Sequence, residues 1–505
     1  MENRKKKVIV IGAGISGLTS GIYALDNDFD VEIYEKHFIA GGLCTGWNRN
    51  NLYIDGCAHW IVGTNKNSDF YPLWRHVGAI NDNSIIHDTE YFAKYDIGGE
   101  IITLYADLKK LEEELLRISS EDKKMINHFV RGIKTYQKIK VPVRKPLDHM
   151  NLLELTAFGI RMVGVLPYFI PSMHTSLADY SKKFKSPILN ELFCNILPDN
   201  YNLHSLLYTM RSLSKNDAGV LEGGSRKMAF DIRDNYLNKG GKLYTNSPIK
   251  HIYIENNIAK GVVLENGEIK YADYVICTTD AHHTLFNLLD GKYRDHYYEK
   301  RFKNLENNPL IQGFQIGFKI KKDLSSFPKM LNFKSKDIKI NNFVLNRFSI
   351  RNHAFDSSLY NDNISVMTVL FHVDDDIYNY LNNLTRKDYE KEKIRIGMEI
   401  REEIKKYLSL NDEEINLIDV ATPLTYERYT NAYHGSYMSF LTTKKAKGLM
   451  RKGLIKKLKN FALAGQWIMP PGGLPIALFS GKFAVARICK IEKKKFVELD
   501  FNTKE

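Results

Sequence analysis

Residues 8–35 read V-I-V-I-G-A-G-I-S-G-L-T-S-G-I-Y-A-L-D-N-D-F-D-V-E-I-Y-E, and their punctuation decides the fold. The apolar run 8–11 has the pattern of a strand buried on both faces. Gly12, Gly14 and Gly17 follow in G-x-G-x-x-G spacing and open a helix that reaches about Leu25. A second strand, 31–34, ends at Glu35, 23 positions beyond Gly12. Gly12 permits a tight turn, Gly14 lets backbone approach a pyrophosphate, and Gly17 lets the helix lie close on the strand. Ser16 sits in the first helical turn beside the phosphates, and Glu35 is placed to bond a ribose hydroxyl, with Lys36 next to it. Lys5, Lys6 and Lys7 before 18 uncharged residues imitate a signal peptide. The glycine spacing, the lack of a small-residue cleavage site and the acids Asp26, Asp28 and Asp30 argue that the stretch is retained.

Downstream, 40–47 reads A-G-G-L-C-T-G-W. Gly41 and Gly42, followed by Leu43 and Thr45, would let the chain pass tightly beside the same dinucleotide. Flavoproteins of the glutathione-reductase type often have such a loop. The segment 53–63, Y-I-D-G-C-A-H-W-I-V-G, then sets His59 and Trp60 close to the cofactor loop. The alternative for both is an ordinary packed core pair.

Together, G-A-G-I-S-G, G-G-L-C-T-G and D-G-C-A-H-W resemble the phytoene desaturase, carotenoid isomerase and retinol saturase group of FAD-dependent oxidoreductases, in particular its bacterial branch. That group usually shows D-x-G-x-H, whereas Cys57 stands here at the glycine position. The resemblance implies FAD as cofactor and hydride transfer between flavin N5 and a C–C or C=C bond. The substrate would be apolar, of isoprenoid, carotenoid or lipid type, handled by a desaturase, isomerase or saturase. It also implies an adenine contact at Ile249 and a wall at Thr278. The closing segment 461–476 would add Gly465, Gln466, Gly473, Leu474 and Ile476 around the ribityl chain and ring. His59 is the expected proton-transfer group, with Tyr429 and Glu427 as lesser candidates from the T-P-L-T-Y-E-R-Y-T segment.

The expected fold class is α/β (α+β taken as a whole). A discontinuous, Rossmann-like FAD-binding domain of glutathione-reductase type is built from 1–63, 219–290 and 455–492. A second domain of mixed sheet and helices, 64–218 and 291–454, forms the substrate pocket or lid, and 493–505 is a basic tail. The stretch 152–173 is the most apolar, with Glu154 and Arg161 as its only charges. Pro167 and Pro171 interrupt it, so it reads as a lid or tunnel wall dipping into a bilayer surface, or else as a plain buried helix.

Composition bounds the rest. The chain has 505 residues and 44% hydrophobic content, with 26% charged, as in a globular protein of two or three domains. Five cysteines without a C-x-x-C pair argue against a zinc ribbon or disulfide scaffold, and for a reducing compartment. The net charge of +13 resides in 444–495, where 14 Lys/Arg meet the single acid Glu492. Such a face would attract anionic membrane headgroups, or would simply decorate solvated helices. No nucleic-acid motif accompanies the lysines, and no metal site is expected, since His282 and His283 lack partners at ligand spacing and read as a helix-surface pair. Partners are therefore an apolar small molecule, an anionic membrane surface, and an electron acceptor or donor such as a quinone, oxygen or NAD(P)H. The expected location is cytoplasmic and peripheral at the inner membrane face. Two rivals stay open: an amine-oxidase-like flavoenzyme, and a non-catalytic FAD- or membrane-binding protein.

Overall fold

The computed structural model describes residues 4–57, 60–360, 364–446, 448 and 450–497. Its centre is a parallel sheet. β1 (Lys7–Ile11) pairs on one side with β2 (Asp30–Tyr34), which pairs with Lys242–Tyr244. On its other side lies Tyr274–Cys277, then Phe461–Leu463. Three distant stretches of chain thus make one five-stranded layer, in the order 242–244, 30–34, 7–11, 274–277, 461–463. β1 is buried along 8–11, as expected for a parallel strand covered on both faces.

Helix α1 (Ile15–Asp26) packs on that sheet beside the C-terminal helix Leu474–Ile491 and the helix Gly224–Asn238. Gly17 is what permits it. A methyl group there would stand 1.9 Å from the Gly12 carbonyl oxygen, an impossible approach. An antiparallel sheet of Ile249–Glu255, Ile258–Leu264 and Ile269–Tyr271 forms the crossover into Tyr274–Cys277.

The second half is built on a seven-stranded sheet, in the order 415–421, 312–320, 365–373, 343–352, 330–340, 91–97, 100–105. Its pairings are antiparallel except between 330–340 and 91–97. The helix Arg386–Tyr407 covers one face through Ile396, Ile400 and Ile404. Helices Leu108–Ile118, Lys123–Tyr136, Pro187–Asn195 and Leu203–Leu213 share a further core with Tyr91–Ile97.

Three expectations need correction. The nucleotide half does not end at residue 63, because Phe70, Leu73, Trp74, Val77 and Ile80 are buried in the same core as α1. The supposed tail from 493 is pinned at its start: the Val497 N–H donates to Asn27 Oδ1 at 2.7 Å and Phe496 stacks on Tyr23. The apolar stretch 152–173 is no buried helix. It forms Leu152–Val163 and Leu166–Met173, bent by 80°, and the first of these has no buried residue.

Replacing Gly17 by alanine should drive α1 away from the glycine turn, at a cost of about 1–3 kcal/mol. The expected outcome is protein that purifies without flavin absorbance and melts earlier. A Gly17→Ala protein that keeps both its yellow colour and its melting temperature would refute the packing argument.

Candidate active site

The glycine turn is held open by a buried carboxylate. Glu35 Oε2 accepts from the Ala13 N–H at 2.7 Å and Oε1 from the His37 N–H at 2.9 Å. Across the turn, Thr278 Oγ1 donates to the carbonyls of Ile11 and Gly12 at 2.8 and 3.1 Å. Gly12 has φ +95°, a conformation only glycine takes without strain. Gly14 and Gly41 form an isolated bridge, and a methyl group on Gly42 would meet Gly14 Cα at 3.3 Å. The result is a trough of bare backbone over which side chains cannot project.

Two helix N-termini face this trough. Neither α1, capped by Gly14, nor Leu474–Ile491, capped by Gly473, has a side-chain cap. Their first N–H groups are left for a ligand, and both positive ends favour an anion. Gly465 and Gly473 take positive φ, and the Gly465 N–H donates to Ser480 Oγ at 2.9 Å. Gln466 Nε2 donates to the Tyr437 carbonyl at 3.4 Å.

These groups share one cavity of about 2250 Å³. Gly12, Gly14, Ser16, Glu35, Lys36, Gly41, Gly42, Leu43, Thr45, Trp60, Ile249, Thr278, Gly465, Gln466, Gly473, Leu474 and Ile476 all line it. Gly17 does not; its work is done beneath the floor, against Gly12. Lys36 reaches across to the second half, where its ammonium bonds Asn431 and the Arg428 carbonyl. Trp60 packs edge-on to Phe92 at 5.3 Å, on the far wall. A site of this shape fits an extended dinucleotide: two anion-seeking helix ends, glycine turns between them, and a carboxylate at the ribose position. At about 2250 Å³ the cavity is more than twice the size of an ordinary small-ligand site of roughly 300–1,000 Å³, which leaves room for a second ligand beside a dinucleotide.

The proton-transfer candidates fare differently. His59 lies outside the described residues. Tyr429 lines the cavity but sits at its Glu35 end, edge-on to His37 at 5.4 Å. Glu427 is not among the lining residues and accepts from the Tyr378 hydroxyl at 2.7 Å. Its segment is the helix Pro423–Thr430, opened by a capping box at Thr422. His282 and His283 are not a helix-surface pair: His282 stacks on Tyr433 at 3.7 Å, and His283 lines the cavity and bonds Asn431.

Two groups on the cavity wall, His372 and Tyr437, escape a reading of the sequence, and a third, Asp280, does more than its place before a helix suggests. Tyr437 Oη and His372 Nδ1 are paired at 2.9 Å, both half-buried on the wall. Burial pushes His372 down to about 4, so its ring is neutral at pH 7. Asp280 Oδ1 accepts from the N–H groups of His282 and His283, and Oδ2 from that of Tyr433. It caps the helical segment that follows and also clasps the two halves together. Only the T-T-D turn after a strand hinted at it; His372 and Tyr437 carried no local signal.

The family described as flavin containing amine oxidoreductase matches residues 15–489. The chain belongs to that family. It is an FAD-dependent oxidoreductase of α/β fold. Among curated proteins it is similar to a 4,4'-diapophytoene desaturase (4,4'-diapolycopene-forming) of Methylomonas sp, at 23% identity over 98% of this chain and 97% of that one. It is similar also to prolycopene isomerase 1, chloroplastic, of an Oncidium hybrid cultivar, at 24% identity over 98% and 86%. The resemblance seen in the sequence motifs thus extends along the whole chain. In fold it is similar to cyclohexylamine oxidase from Brevibacterium oxydans IH-35A, with a TM-score of 0.59 and 12% identity over 97% of this chain and 100% of that one.

Asp280 gives this site a pH signature. Burial, aided by the nearby Glu427, outweighs its three backbone donors and raises its carboxyl to about 7 from 3.8. Between those values the folded chain holds a proton that the unfolded chain has lost. Stability should therefore fall as pH rises through that window, by no more than about 4 kcal/mol. In thermal melts of the flavin-loaded protein, Asp280→Asn should flatten this slope. An unchanged slope in the variant would refute the assignment.

Proposed function

We propose that the protein transfers hydride between its FAD and a C–C or C=C bond of an extended isoprenoid, in the manner of the carotenoid enzymes it resembles. The observation that carries this reading is the continuity of the cavity. It runs from the glycine trough into a chamber walled by Phe92, Phe158, Met162, Phe169, Tyr208 and Met330. Bound FAD supplies the two-electron acceptor or donor. The chain supplies a wall that is apolar for the greater part, which suits an apolar substrate. Tyr437 and His372 are the paired groups through which a proton could be held at Oη or Nδ1.

Anaerobic mixing of the yellow protein with a linear polyene such as 4,4'-diapophytoene tests this. Loss of flavin absorbance together with a product of altered conjugation is expected. No reaction with isoprenoids, but bleaching by primary amines and peroxide release in air, would favour the amine-oxidase reading instead. The Tyr426 and Tyr437 rings, 5.9 Å apart on the cavity wall, are the feature that keeps that rival alive.

The substrate class also gives the apolar helix pair a purpose. Phe158, Met162, Phe169 and Met173 line the cavity, while Leu152, Leu153, Ile160, Val163 and Ile170 are more than half exposed. No single helix among the described residues is long and apolar enough to cross a membrane. A pair lying in one leaflet needs no such length. Lys138, Lys140 and Arg144 are exposed on the segment leading into the pair. Asp148 on the same segment binds the buried Arg487 at 2.7 Å, which ties the segment to the C-terminal helix near the exposed Lys490. These features support a peripheral location on an anionic membrane, where isoprenoid and quinone would both be within reach.

In sedimentation with anionic vesicles, the protein should bind, less tightly at high salt. Leu153→Asp should weaken binding about tenfold, from lost burial of one leucine, without altering the flavin spectrum. Equal binding by the variant, or binding indifferent to both charge and salt, would remove the membrane proposal while leaving the hydride reading intact.

A further inference from the structure

The hairpin that follows the cofactor loop pairs Gly46–Arg49 with Leu52–Asp55, in the register Gly46 opposite Asp55. The Gly56 N–H then donates to the Thr45 carbonyl at 3.0 Å, so the same register continues outward by one rung. Cys44 and Cys57 follow one step beyond that rung, where both strands bend out of the ladder. A rung at 45 and 56 keeps these two positions near one another, and a disulfide needs Cα atoms roughly 4.4–6.8 Å apart. The two side chains are neighbours, Cys57 being the foremost influence on the Cys44 thiol. Both residues line the cavity, and both are free thiols in this structure.

The surroundings hold this pair in place. Asp55 accepts from the Cys57 N–H at 3.0 Å, from the Ser225 N–H at 2.6 Å and from the Ser225 hydroxyl at 2.7 Å. The Cys44 thiol donates to the Ser225 carbonyl at 3.5 Å. Cysteine is also what stands at position 57 where the family resembled usually has glycine, which could make no such contact.

We propose that Cys44 and Cys57 form a reversible dithiol–disulfide couple in the wall of the cofactor cavity, oxidised by peroxide. Sulfur of Cys57 attacks the peroxide O–O bond, forming an S–O bond and releasing water or an alcohol. Sulfur of Cys44 then displaces the sulfenyl oxygen as water, closing the S–S bond. Two thiols and one hydrogen peroxide thus become one disulfide and two waters: each sulfur loses one electron and each peroxide oxygen gains one. A cellular thiol returns both sulfurs to the reduced state by exchange. The order of attack follows from exposure. Cys44 is fully enclosed, and its contact with Cys57, with burial after it, holds its thiol well above the ordinary range. Cys57 is only half-buried and meets an oxidant first.

Closing the bond would fasten the cofactor loop, with Leu43 and Thr45, to the base of the hairpin. The couple is independent of the substrate reading and can be tested without turnover.

The experiment treats the reduced, flavin-loaded protein with hydrogen peroxide, alkylates the remaining thiols and maps the peptides by mass. The expected product is one intrachain cross-link between positions 44 and 57, lighter by two hydrogens and reversed by dithiothreitol. Cys194, Cys277 and Cys489 stay alkylatable and act as internal controls. In Cys57→Ser and in Cys57→Gly no cross-link forms and Cys44 stays alkylatable. Over-oxidation of Cys57 beside an untouched Cys44 would overturn the proposal, as would cross-links scattered among the other cysteines.

Discussion

The Glu35 carboxylate is the constraint on which the nucleotide half depends. It is buried, yet both oxygens are satisfied, one by the Ala13 N–H of the glycine turn and one by the His37 N–H beyond β2. A buried anion without such donors would cost several kcal/mol. With them, it fixes the turn after β1 against the end of β2, where a ribose must lie. The backbone around it is stitched into the neighbouring strand as well, since the Glu35 N–H donates to Tyr244 and the Ser247 N–H to Glu35. Thr278 performs the matching task on the other side of β1. The third piece of the sheet, Phe461–Leu463, then delivers Gly465 and the second uncapped helix to the same cavity.

Building one binding surface from three separated stretches has a consequence for the rest of the chain. Each insertion joins neighbouring parallel strands, 30–34 to 242–244 at one side of the sheet and 274–277 to 461–463 at the other, and leaves from the strand ends that carry the trough. The insertions are therefore free to form their own sheet and helices but are obliged to stand over the trough. Asp280 and Lys36 show how the halves are fastened there: the first holds the Tyr433 N–H and the second reaches Asn431. The interface is polar where it flanks the nucleotide end and aromatic where it becomes the chamber, at Trp60 and Phe92.

What could be read from sequence divides along the range of the interactions. The glycine turns, Glu35 and the strands near them are set by local sterics and short-range hydrogen bonds, and residues 8–35 alone announce them. The helices Leu108–Ile118 and Arg386–Tyr407 have clear periodicity and lie where it puts them. By contrast, His372 and Tyr437 are 65 residues apart and become a pair only through the fold. Pro423–Thr430 shows no helical pattern in sequence because the helix is short and sustained by the Thr422 capping box rather than by an apolar face. Residues 70–80 seemed foreign to the first domain because a short helix carrying Trp74 has too few turns to show which core it joins.

The helix Leu152–Val163 poses a different question, because little packing among the described residues accounts for its stability beyond Met162 against the neighbouring core. It is 12 residues long with no buried residue, and isolated helices of that length are marginal in water. Its N-terminus is well made: Asn151 and Glu154 form a reciprocal capping box, and Lys145 adds an ion pair to Glu154 at 2.8 Å. Caps of this kind contribute about 1 kcal/mol, enough to set where the helix starts but not to justify an outer face of leucine, isoleucine and valine. Contiguous apolar surface of this extent marks a site of contact. Since the opposite face opens on the cavity, the contact that would stabilise the helix is also the route by which an apolar substrate would enter. A leaflet of lipid meets both demands at once, whereas a protein partner covering the same face would have to leave the entrance open.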